Sequence, residues 1–110
     1  MADIGELVSA LPDKTLLLLD DDGPLRTRLG RALEQRGFEV TLAASVAEAL
    51  TILRAQAPAH AVLDMRLEDG SGLKVVEAVR DARPDSKVIM LTGYGNIATA
   101  VAAVKAGVVD

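Results

Sequence analysis

The chain has 110 residues, half of them hydrophobic and a quarter charged, which suits one globular domain with a buried core and argues against disorder. Twelve basic against sixteen acidic residues leave a net charge of −4, a poor balance for holding nucleic acid or an anionic membrane directly. With no cysteine, one histidine (His60) and two aromatics (Phe38 and Tyr94), the composition excludes disulfides and zinc–thiolate sites, disfavours a Ser–His triad and offers no base-stacking platform.

No apolar run reaches the ~18 residues of a membrane span, and Met1–Asp13 lacks the basic start and apolar block of a signal peptide. Ile4, Leu7, Val8 and Leu11 of that leader fall at helical spacing, so it reads as a docked helical turn or an ordered tail. Thr15–Leu19 is a short apolar run ending in acids, the pattern of a strand buried on both faces. Pro24 suits the first turn of a helix whose stripe is Leu25, Leu29, Ala32 and Leu33, with Arg26, Arg28, Arg31 and Arg36 on a solvated face and Gly37 as its stop. Glu39–Ala43 alternates as a second strand. Ser45 and Glu48 form a capping box for a helix carrying Val46, Ala49, Leu50 and Leu53, with Pro58 beyond its end.

His60–Asp64 is a third strand, again ending in an acid, and His60 at its start reads as structural. Glu68–Gly72 is a polar, glycine-containing loop. Leu73, Val76 and Val79 mark a third helix closed by Pro84, and Lys87–Leu91 is a fourth apolar strand ending at Thr92. After a turn at Gly93–Gly95, with Tyr94 a loop aromatic, Ile97, Ala100, Val101 and Val104 form a fourth helix. Gly107 is expected to end it, and Val108–Val109 to begin a fifth strand.

Strands alternating with helices of this length predict right-handed βαβ units, hence an α/β fold with a doubly wound parallel sheet. In such sheets the ligand site lies at the carboxyl ends of the strands. The residues there are Asp20, Asp21 and Asp22 after strand one, Asp64 after strand three and Thr92 after strand four. Two unit charges ~4 Å apart repel by about 4 kcal/mol at an effective dielectric near 20, so such a cluster needs a proton or a divalent ion. Oxygen-only ligands favour Mg²⁺, Mn²⁺ or Ca²⁺. An aspartate beside such an ion is able to act as a nucleophile toward phosphorus, and a neighbouring hydroxyl to bond a phosphoryl oxygen.

The runs Leu16–Asp22 (LLLLDDD), Ala61–Asp64 (AVLD) and Val88–Thr92 (VIMLT) resemble the receiver domain of two-component response regulators. Asp64–Leu73 (DMRLEDGSGL) and Leu91–Lys105 (LTGYGNIATAVAAVK) are similar, more narrowly, to the redox-responsive PrrA/RegA/ActR type. The resemblance implies a flavodoxin-like strand order 2-1-3-4-5, with residues 1–13 a leader and 14–110 the receiver. It implies Asp64 as phosphoacceptor, Thr92 as switch hydroxyl, and a Mg²⁺ held by Asp20, Asp21, Asp64 and the main-chain carbonyl of Arg66. The implied phosphodonor is a sensor histidine kinase, and the implied output a DNA-binding domain outside this sequence, in the cytoplasm.

Two departures accompany it. Glu68 stands where receivers commonly carry proline, and the sequence ends at Asp110, before the lysine expected at the end of strand five; Lys105 lies on the preceding helix. The sheet is therefore expected to be incomplete after strand four and to self-associate through that face. Three rival readings stand beside this one. Leu16–Leu25 also resembles the first motif of haloacid-dehalogenase phosphatases, with Asp20 as nucleophile and Asp22 as acid. Gly93–Ala98 matches a dinucleotide fingerprint, though after the fourth strand. The last is a receiver-like interaction domain that is never phosphorylated.

Overall fold

The computed structural model describes residues 3–64, 66–67, 70–91 and 97–109. Short helix α1 (Ile4–Ser9) precedes β1 (Thr15–Leu19), α2 (Gly23–Gln35), β2 (Glu39–Ala43) and α3 (Val46–Ala55). Then come β3 (His60–Asp64), the short strands β4 (Arg66–Leu67) and β5 (Gly70–Ser71), which pair antiparallel, α4 (Gly72–Ala82), β6 (Lys87–Leu91) and α5 (Ile97–Val109). The main sheet is four-stranded and all parallel in the order β2-β1-β3-β6. Its strands are the first four predicted from sequence, in the order 2-1-3-4.

Period-2 alternation sorts the apolar strand residues into two cores. Leu16, Leu18 and Val62 face α1, α2 and α5, where they meet Ile4, Val8, Leu29, Leu33, Ala100 and Val104. Leu17, Leu19, Ala61 and Leu63 face α3 and α4, where they meet Val46, Ala49, Leu53, Val75 and Val79. Both faces of β1 are thus dry, which is why its sequence shows no polar alternation. The leader is a docked helix, since Ile4 and Val8 belong to the first core.

Local signals set the helix ends. Asp22 caps α2 by accepting from the Leu25 amide at 3.0 Å, and Pro24 sits in the first turn. Gly37 has φ 104°, the left-handed conformation that closes α2. Ser45 accepts from the Glu48 amide at 3.1 Å, while the Glu48 carboxylate reaches back to the Ala44 amide, one residue before the cap.

Three expectations are corrected. Of the stretch Glu68–Gly72 expected as a loop, Gly70–Ser71 is a two-residue strand paired with Arg66–Leu67 and Gly72 already begins α4, while Glu68 and Asp69 lie outside the described residues. Two-residue strands are too short to show a period. Leu73 is 54 % exposed; α4 buries Gly72, Val75 and Val79 instead. Finally, α5 does not stop at Gly107 but continues to Val109, so no strand begins at Val108. Gly107 serves packing there: a Cβ on it would lie 2.7 Å from Ile89 Cδ1, so the missing side chain lets α5 settle on β6. A helical glycine costs only about 1 kcal/mol and does not terminate a helix by itself.

Candidate functional site: an acidic pocket at the strand ends

The chain leaves β1 outward to β2 and returns past β1 to β3, so the winding reverses between β1 and β3. That crevice is where doubly wound sheets bind ligands. Asp20 directly follows β1, and Asp64 is the last residue of β3, paired with Leu91 of β6. Asp20, Asp21 and Asp64 each place a carboxylate oxygen so that all three lie within 4.8 Å of one another. The acids predicted from two separate strand ends are therefore in one place.

Their environments differ. Asp20 is buried, Asp64 half-buried and Asp21 exposed. Burial pushes the Asp20 carboxyl above the usual carboxylate range; the Asp22 amide opposes this, and the charges of Asp64, Asp21 and Asp22 add to it. The Asp22 amide donates to Asp20 Oδ1 at 2.9 Å, and the Asp20 amide donates to the Ala43 carbonyl at 3.1 Å, extending the β1–β2 ladder by one residue. Asp20 is thus held by main-chain bonds on two sides, in a state that disfavours its own charge.

Asp22 stays outside the cluster as the α2 cap. Arg26 was expected on a solvated face; it is half-buried, and its guanidinium donates to the Asp20 carbonyl at 2.8 Å. Its place in the first turn of α2, six residues after Asp20, is a signal that charge patterning alone did not carry. Gly72 was missed as well: a Cβ at this position would run into the main chain of Asp64. No spacing rule marks that contact, because it depends on how β3 meets α4. Thr92 and Tyr94 lie outside the described residues, as does the stretch Gly93–Asn96 of the dinucleotide motif. Arg66 is placed in β4, two residues after Asp64.

The residues present suit a divalent cation. The donors are all carboxylate oxygens, the chemistry of Mg²⁺, Mn²⁺ or Ca²⁺ rather than of zinc. One of them, Asp20, is buried, and that burial together with the neighbouring acids disfavours its charged form, so a bound cation would offset a cost already present.

Comparison with known proteins agrees with this geometry. The sequence profile described as "Response regulator receiver domain" matches residues 16–110. The photosynthetic apparatus regulatory protein RegA of Rhodobacter capsulatus is 56% identical over 98 residues, covering 89% of this chain and 53% of that protein. The acid tolerance regulatory protein ActR of Rhizobium meliloti (strain 1021) is 58% identical over 99 residues, covering 90% of this chain and 51% of that protein. The chain therefore spans about half the length of these curated relatives. Among solved structures, a response regulator protein from Burkholderia pseudomallei with a phosphorylated aspartic acid, calcium ion and citrate superposes with a TM-score of 0.70 at 40% identity. That match covers 84% of this chain and 55% of the other.

Proposed function

This chain belongs to the response regulator receiver domain family, and from that premise we propose that it accepts a phosphoryl group on Asp64 in a Mg²⁺-dependent reaction. The observation that carries the proposal is the meeting of Asp20, Asp21 and Asp64, delivered by two strand ends, within 4.8 Å. A carboxylate oxygen of Asp64 attacks the phosphorus of the donor. With a histidine kinase as donor, the phosphorus–nitrogen bond breaks, its electron pair stays on the imidazole, and an acyl phosphate remains on Asp64.

Asp20, Asp21, Asp64 and the main-chain carbonyl of Arg66 are the proposed holders of Mg²⁺. When bound, the ion would neutralise these acids and the incoming phosphoryl oxygens. The chain's own part is positional: main-chain bonds fix Asp20, and half-burial orients Asp64 while leaving it reachable. In this way the domain assists its own phosphotransfer without being a turnover enzyme. Thr92, next after β6, is the proposed switch hydroxyl. Among the described residues no helix is long and apolar enough to cross a membrane. The proposed setting is the cytoplasm, with a DNA-binding output outside residues 14–110, in keeping with the regulators to which the chain is similar.

The phosphatase reading has less support. Asp22 Oδ1 is engaged in capping α2, and Asp20 is buried, so neither stands as a free acid and nucleophile two residues apart. The test is treatment with beryllofluoride or acetyl phosphate in Mg²⁺, followed by heteronuclear NMR. Shifts at the strand ends are expected for the natural chain and for Asp22→Asn, and none for Asp64→Asn. Steady turnover of p-nitrophenyl phosphate that vanishes in Asp20→Asn would instead establish the phosphatase.

A further inference from the structure

We infer that Gly72, by letting the start of α4 close onto the main chain of Asp64, is a positioning residue that sets where the Asp64 carboxylate stands against Asp20 and Asp21. A Cβ at this position would overlap the Asp64 carbonyl oxygen and lie 3.3 Å from both the Asp64 carbonyl carbon and Met90 Cε. The obstacle is main chain, so no side-chain rotation relieves it. Other tight glycines differ in kind: at Gly30 and Gly107 the nearest atoms are Leu42 Cδ2 at 2.9 Å and Ile89 Cδ1 at 2.7 Å, both ends of flexible side chains.

Asp64 is also held from the other side, in register with Leu91 of β6. A side chain at 72 therefore has to push the end of β3 or the start of α4. Restoring an ordinary non-bonded separation needs a shift on the order of 1 Å. A cation that demands oxygens at about 2.0–2.1 Å in near-ideal geometry does not follow such a shift. The carboxylates are gathered within 4.8 Å, so moving one of three main-chain anchors degrades the whole set. The inference rests on the reading of Asp64 as a cation ligand and phosphoacceptor.

The experiment compares the natural chain, Gly72→Ala, Gly107→Ala, Gly72→Ala/Met90→Ala and Asp64→Asn. Thermal unfolding is followed by circular dichroism over a MgCl₂ series, with trimethylamine N-oxide present to keep each variant folded at the start. The expected result is an apparent Mg²⁺ affinity at least tenfold weaker in Gly72→Ala, with no recovery on adding Met90→Ala. Gly107→Ala is expected to lose stability while keeping the natural affinity, which separates positioning from general weakening. Natural affinity in Gly72→Ala, recovery through Met90→Ala, or failure of Gly72→Ala to fold where Gly107→Ala folds would each overturn the inference. A natural chain with no Mg²⁺ response, or an unchanged response in Asp64→Asn, would instead overturn the cation-site reading beneath it.

Discussion

Replacing Asp20 by asparagine should stabilise this protein when no divalent ion is present. The side chain keeps its shape, and its oxygen still accepts the Asp22 amide, now 2.9 Å from Asp20 Oδ1. What disappears is one of three negative charges within 4.8 Å. At that separation two unit charges repel by about 3.5 kcal/mol at an effective dielectric near 20 and by about 1 kcal/mol in water. Asp20 is 5% exposed and Asp64 half-buried, which moves their repulsion toward the first figure; exposed Asp21 belongs near the second.

The Asp22 amide already offsets part of this, so a net gain of about 1–3 kcal/mol is expected, or about 4 °C in Tm per kcal/mol for a domain of this size. Magnesium at a hundredfold excess over its dissociation constant should stabilise the natural chain by about 2.7 kcal/mol. Asp20→Asn, having lost a ligand, should gain far less, so the difference between the two closes. Thermal melts at low ionic strength, with EDTA and then with MgCl₂, read both effects. Asp20→Asn no more stable than the natural chain in EDTA, or an equal response of both to magnesium, would refute the electrostatic reasoning.

Three further outcomes are expected. His60 is buried edge-on against Phe38, ring centroids 5.3 Å apart, and burial lowers its pKa from the ordinary 6.5, with Lys87 and Arg83 adding to the effect and Asp13 opposing it. The unfolded chain then binds the proton more readily, so stability should fall as pH drops below 6.5, by up to about 1.4 kcal/mol per pH unit. Denaturant titrations between pH 7.5 and 5.5 should show this slope, and His60→Gln should flatten it. Arg26→Gln removes the donor to the Asp20 carbonyl and should lower stability by about 1 kcal/mol in EDTA, with most of that loss recovered in Arg26→Lys; equal melting of all three chains would dismiss the contact. The β6 strand lies at one edge of the described sheet with all five residues half-buried, and self-association through it is expected; sedimentation showing a monomer at millimolar concentration would count against it.

The chain's local patterns were enough to place β1, β2, β3, β6 and the intervening helices, because burial on two sheet faces writes short apolar runs and i, i+4 stripes directly into the sequence. The cap at Ser45 and the stop at Gly37 were legible for the same reason: their chemistry acts within four residues. Strand-end acids were legible too, since a carboxylate after an apolar run has few places to be except the sheet edge. Tertiary structure alone decided the rest. Whether Asp20 and Asp64 come within ion-binding reach depends on β1 and β3 being neighbours, a pairing across some forty residues that no local period encodes. Arg26 on the Asp20 carbonyl, Gly72 against the Asp64 main chain and Gly107 against Ile89 are contacts between elements. In sequence each looked like a surface charge, a loop glycine or a helix stop; their roles came from the atoms that packing brought against them.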